Sequence, residues 1–134
     1  MTLIDTNVIL DVLSNDPIWL DWSSAQLLLS HERGSVSIND ITYAELAVRI
    51  EVESELQRKL ASLSISLERT PVSALFIAGR AFKRYRAAGG PRTSVLPDFF
   101  IGGHAQVAHL PLLTRDTRRY RAYFPEVELI APEG

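Results

Sequence analysis

The sequence predicts an α/β fold: a single three-layer domain with a central, mostly parallel sheet flanked by helices on both faces. Three observations carry that expectation. Short apolar runs at residues 3–4, 35–38, 64–67, 110–114 and 127–130 alternate with longer amphipathic stretches, as parallel strands alternate with helical crossovers. The 134 residues, 46% hydrophobic and 22% charged, suit one domain, residues 1–134, with a core that needs neither disulfide nor structural metal. Finally, a carboxylate stands just past two of these runs, Asp5 directly and Asp116 after Arg115. In a doubly wound sheet, side chains just past the carboxyl ends of central strands line the ligand crevice, and a first strand is often central.

Composition removes several classes of chemistry. The chain has no cysteine, which excludes disulfide frameworks, thiolate zinc sites and cysteine nucleophiles. Any metal must be held by oxygen or imidazole. No apolar stretch is long enough to span a bilayer, and the start lacks the basic region of a signal peptide, so a cytoplasmic protein without a membrane partner is expected. The net charge of −2 divides unevenly, with −6 over residues 1–79 and +4 over residues 80–134. A basic second half suits a polyanionic partner, and it equally suits a solvated helix face.

In chain order, the first helix is expected from Thr6 or Asn7, either of which can cap it, to before Asn15, with Val8, Ile9, Val12 and Leu13 inward. A second helix over residues 18–31 stops at Gly34. Its Trp19 and Trp22 share a face, read as core packing. After the strand at residues 35–38, Asn39 or Asp40 caps a third helix that carries Glu45. On a helical wheel Glu45 lies in an apolar stripe with Ile41, Ala44, Val48 and Val52, while Tyr43, Leu46, Ala47 and Ile50 form a second apolar side. Residues 51–63 read as a continuation or a separate amphipathic helix.

The strand at residues 64–67 leads to Pro71, which suits a helix start. The helix over residues 72–88 is expected to turn Leu75, Phe76, Ala78, Gly79 and Phe82 inward. Residues 88–94 read as a loop. Pro97 and Asp98 then open a helix in which Asp98 shares its side with Ile101, Gly102 and Ala105. Gly102 and Gly103 cost helix stability, about 1 kcal/mol each relative to Ala, and close approach to a neighbouring element is the expected compensation. A strand at residues 110–114 runs into Arg115 and Asp116. A short basic, aromatic helix or turn follows, then an edge strand at residues 127–130. His31, His104 and His109 offer no metal-binding spacing and are read as structural or surface residues.

In this architecture Asp5 and Asp116 could meet at one sheet edge, with Glu45 and Asp98 entering from neighbouring helices. Each has a simpler reading: Asp5 as a helix cap, Glu45 as a surface residue, Asp98 as an acid favoured by the helix dipole. Two bare charges about 4 Å apart repel by roughly 4 kcal/mol at an effective dielectric of 20. A convergent cluster therefore needs a counter-charge, and without Cys or paired His a hard divalent cation, Mg²⁺ or Mn²⁺, is the natural choice.

Asp5-Thr6-Asn7 at the start, Glu45 in the third helix, Asp98 opening a late helix and Thr114-Arg115-Asp116 after a strand together resemble the PIN-domain ribonucleases. Length, layout and the basic C-terminal segment are similar more particularly to their bacterial VapC-type toxins. The resemblance spans residues 3–132. Gly102 and Gly103 depart from it, since such proteins more often carry alanines there, and Glu51, Glu53 and Glu55 stand close by as alternatives to Glu45.

What the resemblance implies is a metal-dependent endoribonuclease acting as the toxin of a type II toxin–antitoxin pair. Asp5, Glu45, Asp98 and Asp116 would be the catalytic acids and hold one or two Mg²⁺ or Mn²⁺ ions that activate water against an RNA phosphodiester. Asn7 and Thr114 would orient the acids or the water. Arg115, Arg118, Arg119 and Arg121 would hold RNA phosphates and Tyr120 would stack on a base, although a basic surface turn needs no ligand. A cognate antitoxin and a homodimer are further expectations. Two other readings compete. One is a catalytically silent module that binds RNA or a partner. The other is a phosphoacceptor or phosphatase domain, disfavoured because Asp5-Thr6-Asn7 lacks a second Asp and no Lys follows Lys83.

Overall fold

The structure, a computed structural model, describes residues 1–91 and 96–133. Five parallel strands stand in the order β3-β2-β1-β4-β5: β1 (Thr2–Ile4), β2 (Val36–Asn39), β3 (Ile65–Glu68), β4 (Leu112–Leu113) and β5 (Leu129–Ile130). The helices are α1 (Thr6–Leu13), α2 (Leu20–Arg33), α3 (Asp40–Arg49), α4 (Glu53–Ser62), α5 (Val72–Ala87), α6 (Leu96–Ala108) and α7 (Arg118–Tyr123). The first strand is central. It pairs with β2 through Thr2 and Val36, and with β4 through Leu3 and Leu112. Strand order reverses between β1 and β4, the switch point at which a doubly wound sheet opens its crevice.

Strand alternation builds the three layers. Leu3 and Leu112 point to one face, into a core with Ala78 and Ala81 of α5, Phe99 and Ile101 of α6, and Tyr120 and Phe124. Their neighbours Ile4 and Leu113 point to the other, against Val8 and Ile9 of α1, Leu27 of α2, Leu46 of α3, and Leu56 and Leu60 of α4. Successive strand residues must face opposite ways, so a sheet covered on both sides demands apolar residues in sequence.

Three local expectations need correction. The first helix is capped by Asp5, whose carboxylate accepts the Thr6 N–H, and not by Thr6 or Asn7. On α3 the side that packs is Leu46's, while Val48 is 85% exposed, so the stripe around Glu45 is not core. Of the two readings for residues 51–63, the separate helix holds: α4 spans Glu53–Ser62, with Ile50 and Val52 extended before it. On α5 the inward residues are Ala74, Ala78 and Ala81, and Phe76 is 71% exposed.

Close approach selects that alanine stripe. A Cβ added at Gly103 of α6 would stand 2.8 Å from the carbonyl oxygen of Ala74, and one at Gly102 would stand 2.5 Å from the Phe124 ring. The two glycines therefore admit α5 on one side and an aromatic ring on the other. Of the expected loop at residues 88–94, residues 88–91 continue α5 into a turn with Gly89 at φ +92°; Arg92, Thr93 and Ser94 lie outside the described residues. Among the described residues no helix is long and apolar enough to cross a membrane.

Candidate active site

Asp5 follows the last residue of the central strand. Its backbone is still extended, and its N–H donates to the Leu113 carbonyl of β4 at 2.9 Å, which fixes the residue at the switch point. The side chain is 3% exposed. Oδ1 accepts the Thr6 N–H at 2.7 Å, while Oδ2 accepts the Thr114 hydroxyl and the Tyr120 phenol, both at 2.8 Å, with Asn7 Nδ2 at 3.4 Å. Burial pushes its pKa up, and the donors from Thr114, Tyr120 and Thr6 pull it back down. The helix cap is thus also the carboxylate at the switch point.

Glu45 arrives on α3, which starts where the side chain of Asn39 accepts the Thr42 N–H. Its Oε1 accepts the Thr6 hydroxyl at 2.6 Å, so α1 and α3 are joined beside Asp5. Asp98 sits in the first turn of α6, where Arg119 Nη1 meets its Oδ2 at 2.6 Å. Its pKa rises to about 7, driven by burial and by the negative charges of Asp5 and Glu45, against the pull of Arg119. Three of the four expected acids therefore face one another across the crevice.

Asp116 stands apart at the rim. It is exposed, its N–H donates to the Thr114 hydroxyl at 3.0 Å, and its Oδ1 accepts the Arg118 N–H at 3.3 Å. Among the described residues no three Asp, Glu or His side chains stand close enough to share a metal ion. The donor set nonetheless suits a hard cation, because it is all oxygen.

Both residues expected to orient the acids touch Asp5. Thr114 does so directly, and Asn7 also accepts the Arg115 N–H through Oδ1 at 3.2 Å. The residues expected to meet RNA divide. Tyr120 is a correction: it is 1% exposed and packed in the core, so it presents no ring face to a base. Arg115 is bound within the chain, its Nε and Nη2 donating to Asp11 at 2.6 and 2.9 Å and its guanidinium lying over the Trp19 ring. Arg119 is paired with Asp98, while Arg118 and Arg121 are exposed.

Sequence reasoning missed Asp11. It is 2% exposed and takes the Ser23 hydroxyl at 2.6 Å as well as Arg115. A carboxylate within the apolar run from Val8 to Leu13 was the available signal, since a buried charge requires a partner. The histidines stay away from the acids. His31 meets the Leu63 carbonyl at 2.8 Å, and His104 meets Asn39 at 3.2 Å.

Together these features define a class: doubly wound parallel α/β domains with an acid-lined crevice over the carboxyl end of the central strand. The PIN domain family pattern matches residues 2–125, and the chain belongs to that family. Three solved structures share the fold. VapBC2 from Rickettsia felis, bound to a DNA fragment from its promoter, has a chain 18% identical with a TM-score of 0.73, 97% of each chain being covered. DNA-bound VapBC from Salmonella typhimurium gives 22% identity and a TM-score of 0.69 over 98% of each chain. A toxin–antitoxin complex from Klebsiella pneumoniae gives 24% and 0.65, over 99% of this chain and 98% of that one. No curated protein sequence matches significantly.

Proposed function

We propose that the chain is a divalent-cation-dependent endoribonuclease, the toxin of a toxin–antitoxin pair, working as one domain over residues 1–134. The observation that carries this reading is the buried Asp5 carboxylate at the switch point, with Glu45 and Asp98 facing it from α3 and α6. Asp5, Glu45 and Asp98 would hold Mg²⁺ or Mn²⁺, directly or through bridging water, and Asp116 completes the acidic set from the rim. When bound, the ion supplies the Lewis-acid charge for hydrolysis of an RNA phosphodiester.

The chain's own groups prepare that chemistry. Thr114, Tyr120 and Asn7 direct donors at Asp5 Oδ2 and fix its rotamer, leaving Oδ1 as the oxygen with spare acceptor capacity. Thr6 holds Glu45 in the same way. Arg118 and Arg119, on the helix that follows Asp116, offer guanidinium groups to a phosphate.

Relatives crystallised as toxin–antitoxin assemblies support an antitoxin partner. The exposed Val72 and Phe76 of α5 support a homodimer. The deciding test is incubation of purified chain with total cellular RNA, with Mg²⁺ or with EDTA. Cleavage is expected only with the ion and is expected to vanish in Asp5→Asn and Asp98→Asn. Ion-dependent cleavage that survives both substitutions overturns this assignment of the site.

A further inference from the structure

A cavity of about 560 Å³ opens beside the acidic crevice, lined by Tyr85, Tyr123, Arg118, Arg119 and Asp116 among others. Its volume lies within the range of about 300–1,000 Å³ typical of sites that enclose a small ligand. Arg119 joins it to the acids, since the same guanidinium that lines the cavity contacts Asp98 at 2.6 Å. Asp116 forms part of the same wall, so an occupant meets the rim carboxylate directly.

We propose that this cavity seats one nucleotide of single-stranded RNA next to the cleaved phosphodiester, with Tyr123 as the base platform and Arg118 as the phosphate contact. The inference rests on the nuclease reading and deepens it. Tyr120, the aromatic residue that the sequence offers for stacking, is buried under Asp5 and cannot serve. Tyr123 lies three residues on, half-buried on the cavity wall. Its ring is held by Phe99, with centroids 5.3 Å apart, and by the edge of Tyr85 at 5.9 Å, so it is a braced aromatic surface.

Phosphate contacts are sorted by the same geometry. Arg115 is occupied by Asp11, and Arg121 does not line the cavity. Arg119 is likewise held by Asp98, so among the described residues Arg118 is the guanidinium on this wall without a carboxylate partner. An aromatic wall with an exposed guanidinium beside it matches the stacking platform and cationic contact that hold single strands. A duplex keeps its bases stacked inside and offers no ring to such a wall.

The test measures binding without cleavage. A fluorescently labelled, unstructured ten-nucleotide RNA is titrated with the full chain in EDTA, followed by anisotropy. Tyr123→Leu is expected to weaken binding by roughly 5- to 100-fold, the range of one lost base stack, while Tyr123→Phe binds like the parent. Arg118→Ala is expected to weaken binding more than Arg121→Ala and to reduce the salt dependence by about one phosphate contact. Because Arg118 is exposed, this variant leaves the fold intact. If the parent binds but Tyr123→Leu and Arg118→Ala bind equally well, the cavity assignment is wrong and the nuclease reading stands. If the parent does not bind the RNA, the cavity assignment falls, while the nuclease reading is decided separately by the Mg²⁺-dependent cleavage of total RNA.

Discussion

The phenol of Tyr120 donates to Oδ2 of Asp5 at 2.8 Å, joining the helix after the fourth strand to the end of the first. The contact spans 115 positions of sequence and is buried at both ends. The phenol is correspondingly hard to ionise: burial and the negative charges of Asp5 and Asp98 push its pKa well above the usual range.

Tyr120→Phe removes that single donor and keeps the ring. A hydrogen bond to a charged group contributes about 1.5–3 kcal/mol, so the urea midpoint should fall by a corresponding amount with an unchanged m-value. If Tyr120 also orients Asp5, Mn²⁺ affinity measured by calorimetry drops as well. An unchanged Mn²⁺ affinity would confine the phenol to stability.

Asp98 makes metal-free stability depend on pH. Its folded pKa of about 7 lies above the ordinary aspartate value of 3.8, so between those values the folded chain holds a proton that the unfolded chain has released. This contribution therefore favours folding less as pH rises from about 4 to 7. Urea unfolding in EDTA, compared between the parent and Asp98→Asn, should show the variant gaining relative stability across that window, by up to a few kcal/mol. Adding Mg²⁺ at pH 8 should close the gap by stabilising the parent.

Asp11 and Arg115 clamp the segment that carries Thr114 and Asp116 onto α1. Removing one member of a buried pair typically costs 3–5 kcal/mol. Arg115 is partly open to solvent, which places Arg115→Ala at the lower end of that range, while Arg118→Ala should fall within about 0.5 kcal/mol of the parent. Arg115→Lys should not restore stability, because an ammonium lacks the planar fork that meets both carboxylate oxygens. Chemical unfolding of the three variants tests the ranking.

Gly103→Ala should destabilise, although the same change in an exposed helix gains about 1 kcal/mol. The new Cβ would meet a backbone oxygen at 2.8 Å, and backbone yields poorly. A loss of about 1–3 kcal/mol is expected from overpacking. Gly102→Ala meets the Phe124 ring instead, so pairing it with Phe124→Leu should recover part of the loss, as read from thermal melts of the single and double variants.

Much of this was legible in the sequence. Apolar runs at strand length, caps at Asn39 and a stop at Gly34 follow from local rules, and with them came the element order, a central first strand and the acids at Asp5, Glu45 and Asp98. Local rules also decided that the two glycines need a close neighbour. They stop at the question of which side of a helix is covered. On α3 two apolar sides competed, and on α5 Phe76 was expected inward; only the neighbouring elements chose Leu46 over Val48 and the alanine stripe over Phe76.

Tertiary structure alone decided the partners of the polar groups. Periodicity fixes the spacing of side chains on one element, whereas a hydrogen bond across 115 positions depends on where a second element comes to rest. That is why Tyr120 read as a base-stacking residue and supports Asp5, why Arg115 read as a phosphate contact and binds Asp11, and why Asp5 caps α1 while taking donors from two distant elements. Asp116 repeats the strand-then-carboxylate pattern of Asp5, yet it stands exposed at the rim while Asp5 is enclosed by donors from Thr6, Thr114 and Tyr120.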